Sequence, residues 1–283
     1  MYKDSLQLEV DPAKCILCGK CSAVCKNRAI EPDPATRLPR VAPDGGTDRC
    51  RHCQQCLMIC PAGALSLDGI RLRDCAPAGP YPDFASLVNL VRGRRSIRDY
   101  KQKNVEPGVI AELMDAVRFA PTGVNNRKLH FGLIDDIEVM NRYRRNTYSV
   151  LGTALAQDPV PENVKPFARL YEQYREGEDP IFRTAPHLLV VSVPEDAPCA
   201  DADPLIAVSY FELLAQTRGL GTCWFGRLFF LWRGMMPHLL DPFRIPEGYK
   251  PGYAILFGET ALRYPRTGCP DPVPIHQVRA ADI

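Results

Sequence analysis

Cys15-Ile-Leu-Cys18-Gly-Lys-Cys21-Ser-Ala-Val-Cys25 returns later in the chain as Cys50-Arg-His-Cys53-Gln-Gln-Cys56-Leu-Met-Ile-Cys60-Pro61. Both copies have the spacing C-x2-C-x2-C-x3-C, which places three thiols on a tight loop and the fourth on a following short helix. Soft thiolates in that run suit iron–sulfur chemistry. Structural zinc is the other reading of clustered thiols, but zinc sites present two pairs rather than tandem quartets. In two-centre modules the fourth cysteine of each run serves the other centre. One [4Fe–4S] cluster is therefore expected on Cys15, Cys18, Cys21 and Cys60, and a second on Cys50, Cys53, Cys56 and Cys25. Each copy is followed by an apolar pair, Ala29-Ile30 and Ala64-Leu65, and a loop rich in Pro and Gly separates them.

Over about sixty residues this region resembles bacterial-type ferredoxins with two [4Fe–4S] clusters. The resemblance implies one-electron transfer at low potential. One position departs from the pattern: Pro61 follows Cys60, whereas Lys26 follows Cys25.

The rest of the chain has a different composition. Eight of its 12 cysteines lie in the two copies, out of 283 residues in all. Length suggests two domains, with a ferredoxin-like unit over 1–75, a proline-rich linker over 76–83 and a larger domain over 84–283. Apolar residues at 46% and charged residues at 24% fit a globular chain. A net charge of +2 gives no electrostatic case for nucleic acid or a membrane surface. The opening residues lack the apolar core of a leader, and no stretch reaches the roughly 18 apolar residues of a spanning helix. The chain is expected to be cytoplasmic, and the paired quartets without a leader argue against a disulfide scaffold.

In the larger region Phe84, Leu87, Val88 and Val91 recur at helical spacing behind a candidate cap, Asp83. Pro107 opens a second helix with Ile110, Leu113, Met114 and Val117 on one face. A third helix, from about 204 to 218, is apolar nearly all round, which points to deep burial or a subunit interface. Strand-like runs occur at 130–134, 187–193 and 252–257. Helices separated by a few strands make the fold class α+β. Residues 141–180, polar and rich in Tyr and Arg, read as a surface helical excursion, and the proline-rich end as an extended tail lying on another surface.

Three short motifs punctuate these elements. Arg94-Arg95-Ser96-Ile97-Arg98 offers guanidinium forks and a hydroxyl suited to a phosphate, or else a solvated charge run. Ala120-Pro121-Thr122-Gly123-Val124-Asn125-Asn126 offers polar side chains to a heterocycle, or simply stops a helix. Gly219-Leu-Gly-Thr-Cys223-Trp224-Phe225-Gly226 lets backbone approach a ligand closely, or makes a tight helix-to-strand connection.

Taken in order and spacing, the three motifs resemble those of the nitroreductase family of flavoproteins over about residues 84–266. That resemblance implies a homodimer with FMN at its interface. It places Arg94, Arg95, Ser96 and Arg98 on the FMN phosphate and ring edge, with Arg266 and Arg263 completing the phosphate site. It sets Pro121, Thr122 and Asn125 along the isoalloxazine, and Cys223, Trp224, Phe225 and Gly226 near the flavin N5 region. Many relatives continue Asn-x-Gln-Pro-Trp where this chain has Asn125-Asn126-Arg127-Lys128-Leu129, so the contact at position 127 departs from the family. The excursion is expected to cover the site and to offer Tyr143, Arg144, Arg145, Tyr148, Tyr171 and Tyr174 to a substrate, or to be an amphipathic helix pair.

The implied activity is an FMN-dependent reductase of a small organic acceptor (a nitroaromatic, quinone or activated alkene) with electrons relayed through the clusters; the external donor is a reduced ferredoxin that feeds the clusters, or NAD(P)H that reduces the flavin directly. No side chain stands out as a catalytic acid or base, since the flavin is the reactive group. The rival reading is an electron-transfer or redox-sensing module that serves a partner protein.

Overall fold

The structure, a computed structural model, describes residues 6–234 and 236–282. Met1–Ser5, read above for a leader, lie outside the described residues.

The cysteine repeat becomes a backbone repeat. Strand β1 (Leu8–Val10) precedes the first thiol loop and helix α1 (Lys20–Val24); β2 (Ile30–Pro32) and β3 (Pro39–Val41) follow as an antiparallel pair. Then come α2 (Gly46–Arg49), the second thiol loop, α3 (Gln55–Met58), β4 (Leu65–Leu67) and β5 (Ile70–Arg71). β4 is the centre of the sheet β1-β4-β5, so the two ends of the repeat are joined by Leu8↔Leu67 and Val10↔Leu65. The core beneath is small, with Ile30, Leu57, Leu65 and Leu67 buried around Cys56.

The larger region starts with α4 (Phe84–Gly93), capped as expected by Asp83, whose carboxylate accepts from Ser86 N at 3.0 Å and Ser86 Oγ at 2.6 Å. α5 (Pro107–Val117) buries Ile110, Leu113 and Val117. β6 (His130–Ile134), α6 (Ile137–Leu155), α7 (Ala168–Arg175), β7 (His187–Pro194), α8 (Asp203–Thr217), β8 (Leu220–Trp224), α9 (Gly226–Gly234) and β9 (Tyr249–Glu259) complete it. The antiparallel sheet runs β6-β7-β9-β8, and the long β7–β9 pair carries register Leu189↔Ile255 and His187↔Phe257 with a bulge after Val191. Both faces are covered. Phe211, Val208 and Ala215 of α8 pack with α5 on one side, and Met140, Tyr148 and Leu151 of α6 pack on the other.

Three sequence expectations change. First, the apolar stripe of α4 forms a helix face but stays uncovered, with Phe84, Leu87 and Val91 exposed. Second, the 141–180 excursion is amphipathic with one face in the core, for α6 buries Tyr143, Thr147, Tyr148 and Leu151 while α7 buries no residue. Tyr143 and Tyr148 are buried because their hydroxyls find partners, Leu239 O at 3.0 Å and Asp179 Oδ1 at 2.8 Å, and a tyrosine with a satisfied hydroxyl packs as a large apolar residue. Third, the glycine motif after α8 is a strand, β8, and not only a connection. The α8 expectation of deep burial holds on one face, where Phe211 is fully buried, while Leu205 and Tyr210 are exposed. Among the described residues no helix is long and apolar enough to cross a membrane.

His187, at the start of the central strand, is fully buried and accepts from Val105 N through Nε2 at 2.9 Å. Burial lowers its pKa from 6.5 to about 4, against a smaller opposing pull from Asp135. The unfolded chain takes up that proton near pH 6.5 and the folded chain refuses it. This contribution is therefore whole above pH 6.5 and is lost as pH falls toward 4, by about 3 kcal/mol in full. Urea midpoints followed through Trp224 and Trp232 are expected to drop between pH 6.5 and 5 in the parent and to flatten over that window in His187→Gln.

Candidate cofactor sites

The thiols gather as the spacing predicts. One cavity is lined by Cys15, Cys18, Cys21 and Cys60, and a second by Cys25, Cys50, Cys53 and Cys56. Among the described residues no three metal-ligating side chains stand close enough to hold a single ion. The loops repeat the same left-handed positions: Leu17 and Gly19 in the first (φ 54 and 70°), His52 and Gln54 in the second (46 and 61°). Alternating left-handed residues turn successive N–H groups inward, a concavity that favours an anionic centre. Backbone N–H groups also point at sulfur, from Ala29 to Cys25 Sγ at 3.3 Å, from Ala64 to Cys60 Sγ at 3.4 Å and from His52 to Cys50 Sγ at 3.4 Å. Burial, reinforced by Cys53, Cys50 and Cys25, pushes the Cys56 thiol up to about 12. Such a group ionises only against strong positive charge, which an iron core supplies. Donor set, concavity and N–H···S contacts all fit a cubane. His52, read as an exposed loop residue or a tuner of potential, is mostly buried and lies 2.6 Å from Asp68 Oδ2, which ties the second loop to the β4–β5 turn.

The arginine and glycine motifs meet in space. Ser96 bridges Thr222 in parallel, and Ile97 N donates to Thr222 O at 2.8 Å along the edge strand β8. Gly221 is needed for that approach. A Cβ there would lie 2.6–2.7 Å from three atoms of Ile97, so the glycine serves contact between two motifs rather than contact with a ligand. Gly221→Ala is expected to cost about 1–3 kcal/mol by overpacking and to displace Ser96 and Arg98. A lowered melting temperature would show it; an unchanged melting temperature would refute it.

The arginines do not converge at one point. Arg94 Nη1 lies 3.3 Å from buried Glu212 Oε1, which also accepts from Thr222 Oγ1 at 3.2 Å. Arg95 and Arg263 line a groove of about 700 Å³ with Lys101, Arg218 and Glu259, and Arg94, Ser96 and Arg98 are not part of its lining. Arg266 donates locally, to Pro265 O at 3.2 Å. Arg98, Arg183 and Arg227 instead act electrostatically on Cys223. Burial raises that thiol while Arg98, Arg183 and Arg227 pull it down. The Arg227 guanidinium is itself lowered, by burial and then by Arg183 and Arg98.

Sequence reading missed Arg183, Arg227 and Glu212, for they belong to no motif and arrive through tertiary packing. Arg183 and Thr184 are both left-handed (φ 55 and 56°), held by Arg183 N to Asp179 O and Thr184 N to Asp179 Oδ2. Arg227 Nη1 donates to Pro180 O at 2.5 Å. Cys223, Trp224, Phe225 and Gly226 follow on β8 into α9, with Phe225 N bonded to Ala254 O. The loop of Pro121, Thr122 and Asn125 lies elsewhere on the chain, beside the second thiol cavity.

An antiparallel sheet packed between helices, with an arginine motif bridged to its edge strand, makes an α+β domain that follows the double thiol quartet. The sequence profile of the nitroreductase family matches residues 91–259, and the chain belongs to that family. A 4Fe-4S dicluster domain matches residues 14–64. A nitroreductase with bound FMN from Bacteroides fragilis NCTC 9343 superposes with a TM-score of 0.54 at 19% identity, over 68% of this chain and 98% of that one. An iodotyrosine deiodinase of Thermotoga neapolitana is 25% identical over 140 residues, 48% of this chain and 71% of the deiodinase. The beta subunit of an NADH-dependent phenylglyoxylate dehydrogenase from Aromatoleum evansii is 36% identical over 69 residues, which span 21% of this chain and only 16% of that subunit.

Proposed function

We propose that this protein is an FMN-dependent oxidoreductase of a small organic acceptor, of the nitroaromatic, quinone or activated-alkene type, fed through two built-in [4Fe–4S] clusters. The observation that carries the reading is the set of cations Arg98, Arg183 and Arg227 acting on Cys223 beside the paired motifs, where burial first and then Arg183 and Arg98 lower Arg227. Such a set is relieved by an anion, and a flavin phosphate or an anionic group of the bound molecule meets that need. Bound flavin supplies hydride or single-electron transfer, and each iron–sulfur centre supplies one electron. Arg94, Arg95, Ser96 and Arg98 are assigned to the phosphate and ring edge, with Arg263 and Arg266 completing the phosphate site. Pro121, Thr122, Asn125 and the Cys223–Gly226 backbone are assigned to the ring.

Residues 1–75 and 84–283 are read as the two domains. A second copy of the chain suits the uncovered stripe of Phe84, Leu87 and Val91, the exposed Leu205 and Tyr210 of α8, and the apolar tail residues Val273, Ile275 and Val278. A homodimer would bury these faces, bringing the Pro121–Asn125 loop of one copy toward the arginine motif of the other.

Anaerobic reduction with dithionite, then with NADH and NADPH, followed by absorbance and EPR, tests the reading. Flavin and iron–sulfur bands are expected to bleach and to recover on adding a quinone or nitroaromatic. Bleaching without recovery by any such acceptor would leave the electron-transfer module as the function.

A further inference from the structure

The two thiol cavities differ in their walls. The first is lined only by residues between Cys15 and Leu65. The second, around Cys25, Cys50, Cys53 and Cys56, is closed on one side by Val124 and Asn125 from the larger region. Asn125 Nδ2 donates to Arg51 O at 2.8 Å, one peptide from Cys50.

The loop that makes this contact is strained. Val124 has φ 48° and Asn125 φ 56°; for a β-branched residue the left-handed region is a genuine outlier. The strain is imposed by firm anchors. Gly123 N donates to Oδ1 of buried Asp203 at 2.9 Å, and Arg127 N donates to Thr122 Oγ1 at 2.9 Å. A Cβ on Gly123 would lie 2.5 Å from Cys199 Sγ. Backbone strain that the surroundings over-determine marks a functional segment. Val124 is nevertheless half exposed, so core packing does not account for its conformation.

We propose that the loop Thr122–Asn126 couples the second thiol quartet to the flavin fold. The centre on Cys25, Cys50, Cys53 and Cys56 is then proximal to the flavin, and the centre on Cys15, Cys18, Cys21 and Cys60 is distal. The assignment rests on the cofactors proposed above. Each passage moves one electron: the proximal centre is oxidised by one unit as the flavin gains one, and the distal centre refills it from an external one-electron reductant. Two passages, with protons from solvent, reduce the flavin fully. Asn125 is a positioning residue here, holding the Cys50–His52 loop against the larger domain.

Potentiometric titration monitored by EPR tests this without turnover. Cys18→Ser and Cys53→Ser first assign the two waves. Asn125→Asp keeps a side chain tolerant of the left-handed region and places negative charge beside the second cavity; it is expected to move the Cys53-dependent wave to more negative potential. Val124→Lys, with positive charge at the same wall, is expected to move that wave the other way. The Cys18-dependent wave should stay in place and also shows that the variants are folded. On mixing reduced wild-type protein with menadione and freeze-quenching, the Cys53-dependent signal should decay first. Movement of the Cys18-dependent wave, movement of neither wave, or decay in the reverse order overturns the assignment alone. Wild-type protein purified without flavin or iron–sulfur bands overturns the reading beneath it.

Discussion

Replacing Asp179 by alanine is expected to remove about 3–5 kcal/mol of folding stability, the scale of breaking a buried ion pair, and to cut flavin retention with it. One carboxylate serves four groups. Oδ1 accepts from Tyr148 Oη at 2.8 Å and Phe182 N at 3.1 Å, while Oδ2 accepts from Thr184 N at 2.8 Å and stands 2.7 Å from Arg144 Nε. Both side chains of the ion pair are almost wholly buried. Alanine would leave the Arg144 guanidinium charged and partly unpaired in the core, with only Asn141 and Ala185 O as partners. It would also release the turn that holds Arg183 and Thr184 left-handed and that presents Pro180 O to Arg227. Two of the three cations acting on Cys223 thus depend on a carboxylate that touches no cofactor. Urea denaturation measures the first effect and flavin absorbance per chain the second. Adding Arg144→Met to Asp179→Ala should recover the charge part of the loss but not flavin retention, because the N–H groups of Phe182 and Thr184 still lack their acceptor. A single variant within about 1 kcal/mol of the parent, the size of an ordinary point substitution, would sink the account.

This network marks where sequence reading stopped. The thiol quartets were legible because their ligands sit close in sequence, so spacing alone carries geometry, down to the matched left-handed positions of Leu17 with His52 and Gly19 with Gln54. The cap and stripe of α4 and the Pro107 start and stripe of α5 were legible for the same local reason. Strand β8 was not, since Gly219 and Gly221 read as turn residues; only its pairing with Ile255 and Phe257 across β9 makes it a strand. The Tyr- and Arg-rich stretch of α6 read as surface because composition does not reveal that Tyr143, Arg144 and Tyr148 find partners at residues 239, 179 and 185. The contact between Asn125 and Arg51 spans 74 positions, and no periodicity reports such a distance.

The crossed partition of the thiols makes the other large prediction, since it groups variants in an order that sequence proximity would not suggest. Cys25 stands in the first copy of the repeat, yet it lines the cavity of Cys50, Cys53 and Cys56, and Cys60 of the second copy lines that of Cys15, Cys18 and Cys21. Cys25→Ala and Cys56→Ala are therefore expected to lose the same EPR signal, and Cys21→Ala and Cys60→Ala the other. Each variant should fall from about eight iron atoms per chain to about four, the content of two cubanes and one. Cys56→Ala should be the most damaging to the fold. Its sulfur lies in the small core with Leu57, Leu65 and Leu67, so the substitution leaves a void and removes a ligand whose binding energy is also folding energy. Because ligand binding energy is also folding energy, the iron-free parent should be at least as sensitive to proteolysis over residues 6–75 as Cys56→Ala. Iron analysis and EPR on the four variants decide the matter. If Cys25→Ala instead shares its lost signal with Cys21→Ala, each copy of the repeat holds its own centre and the crossed arrangement is wrong.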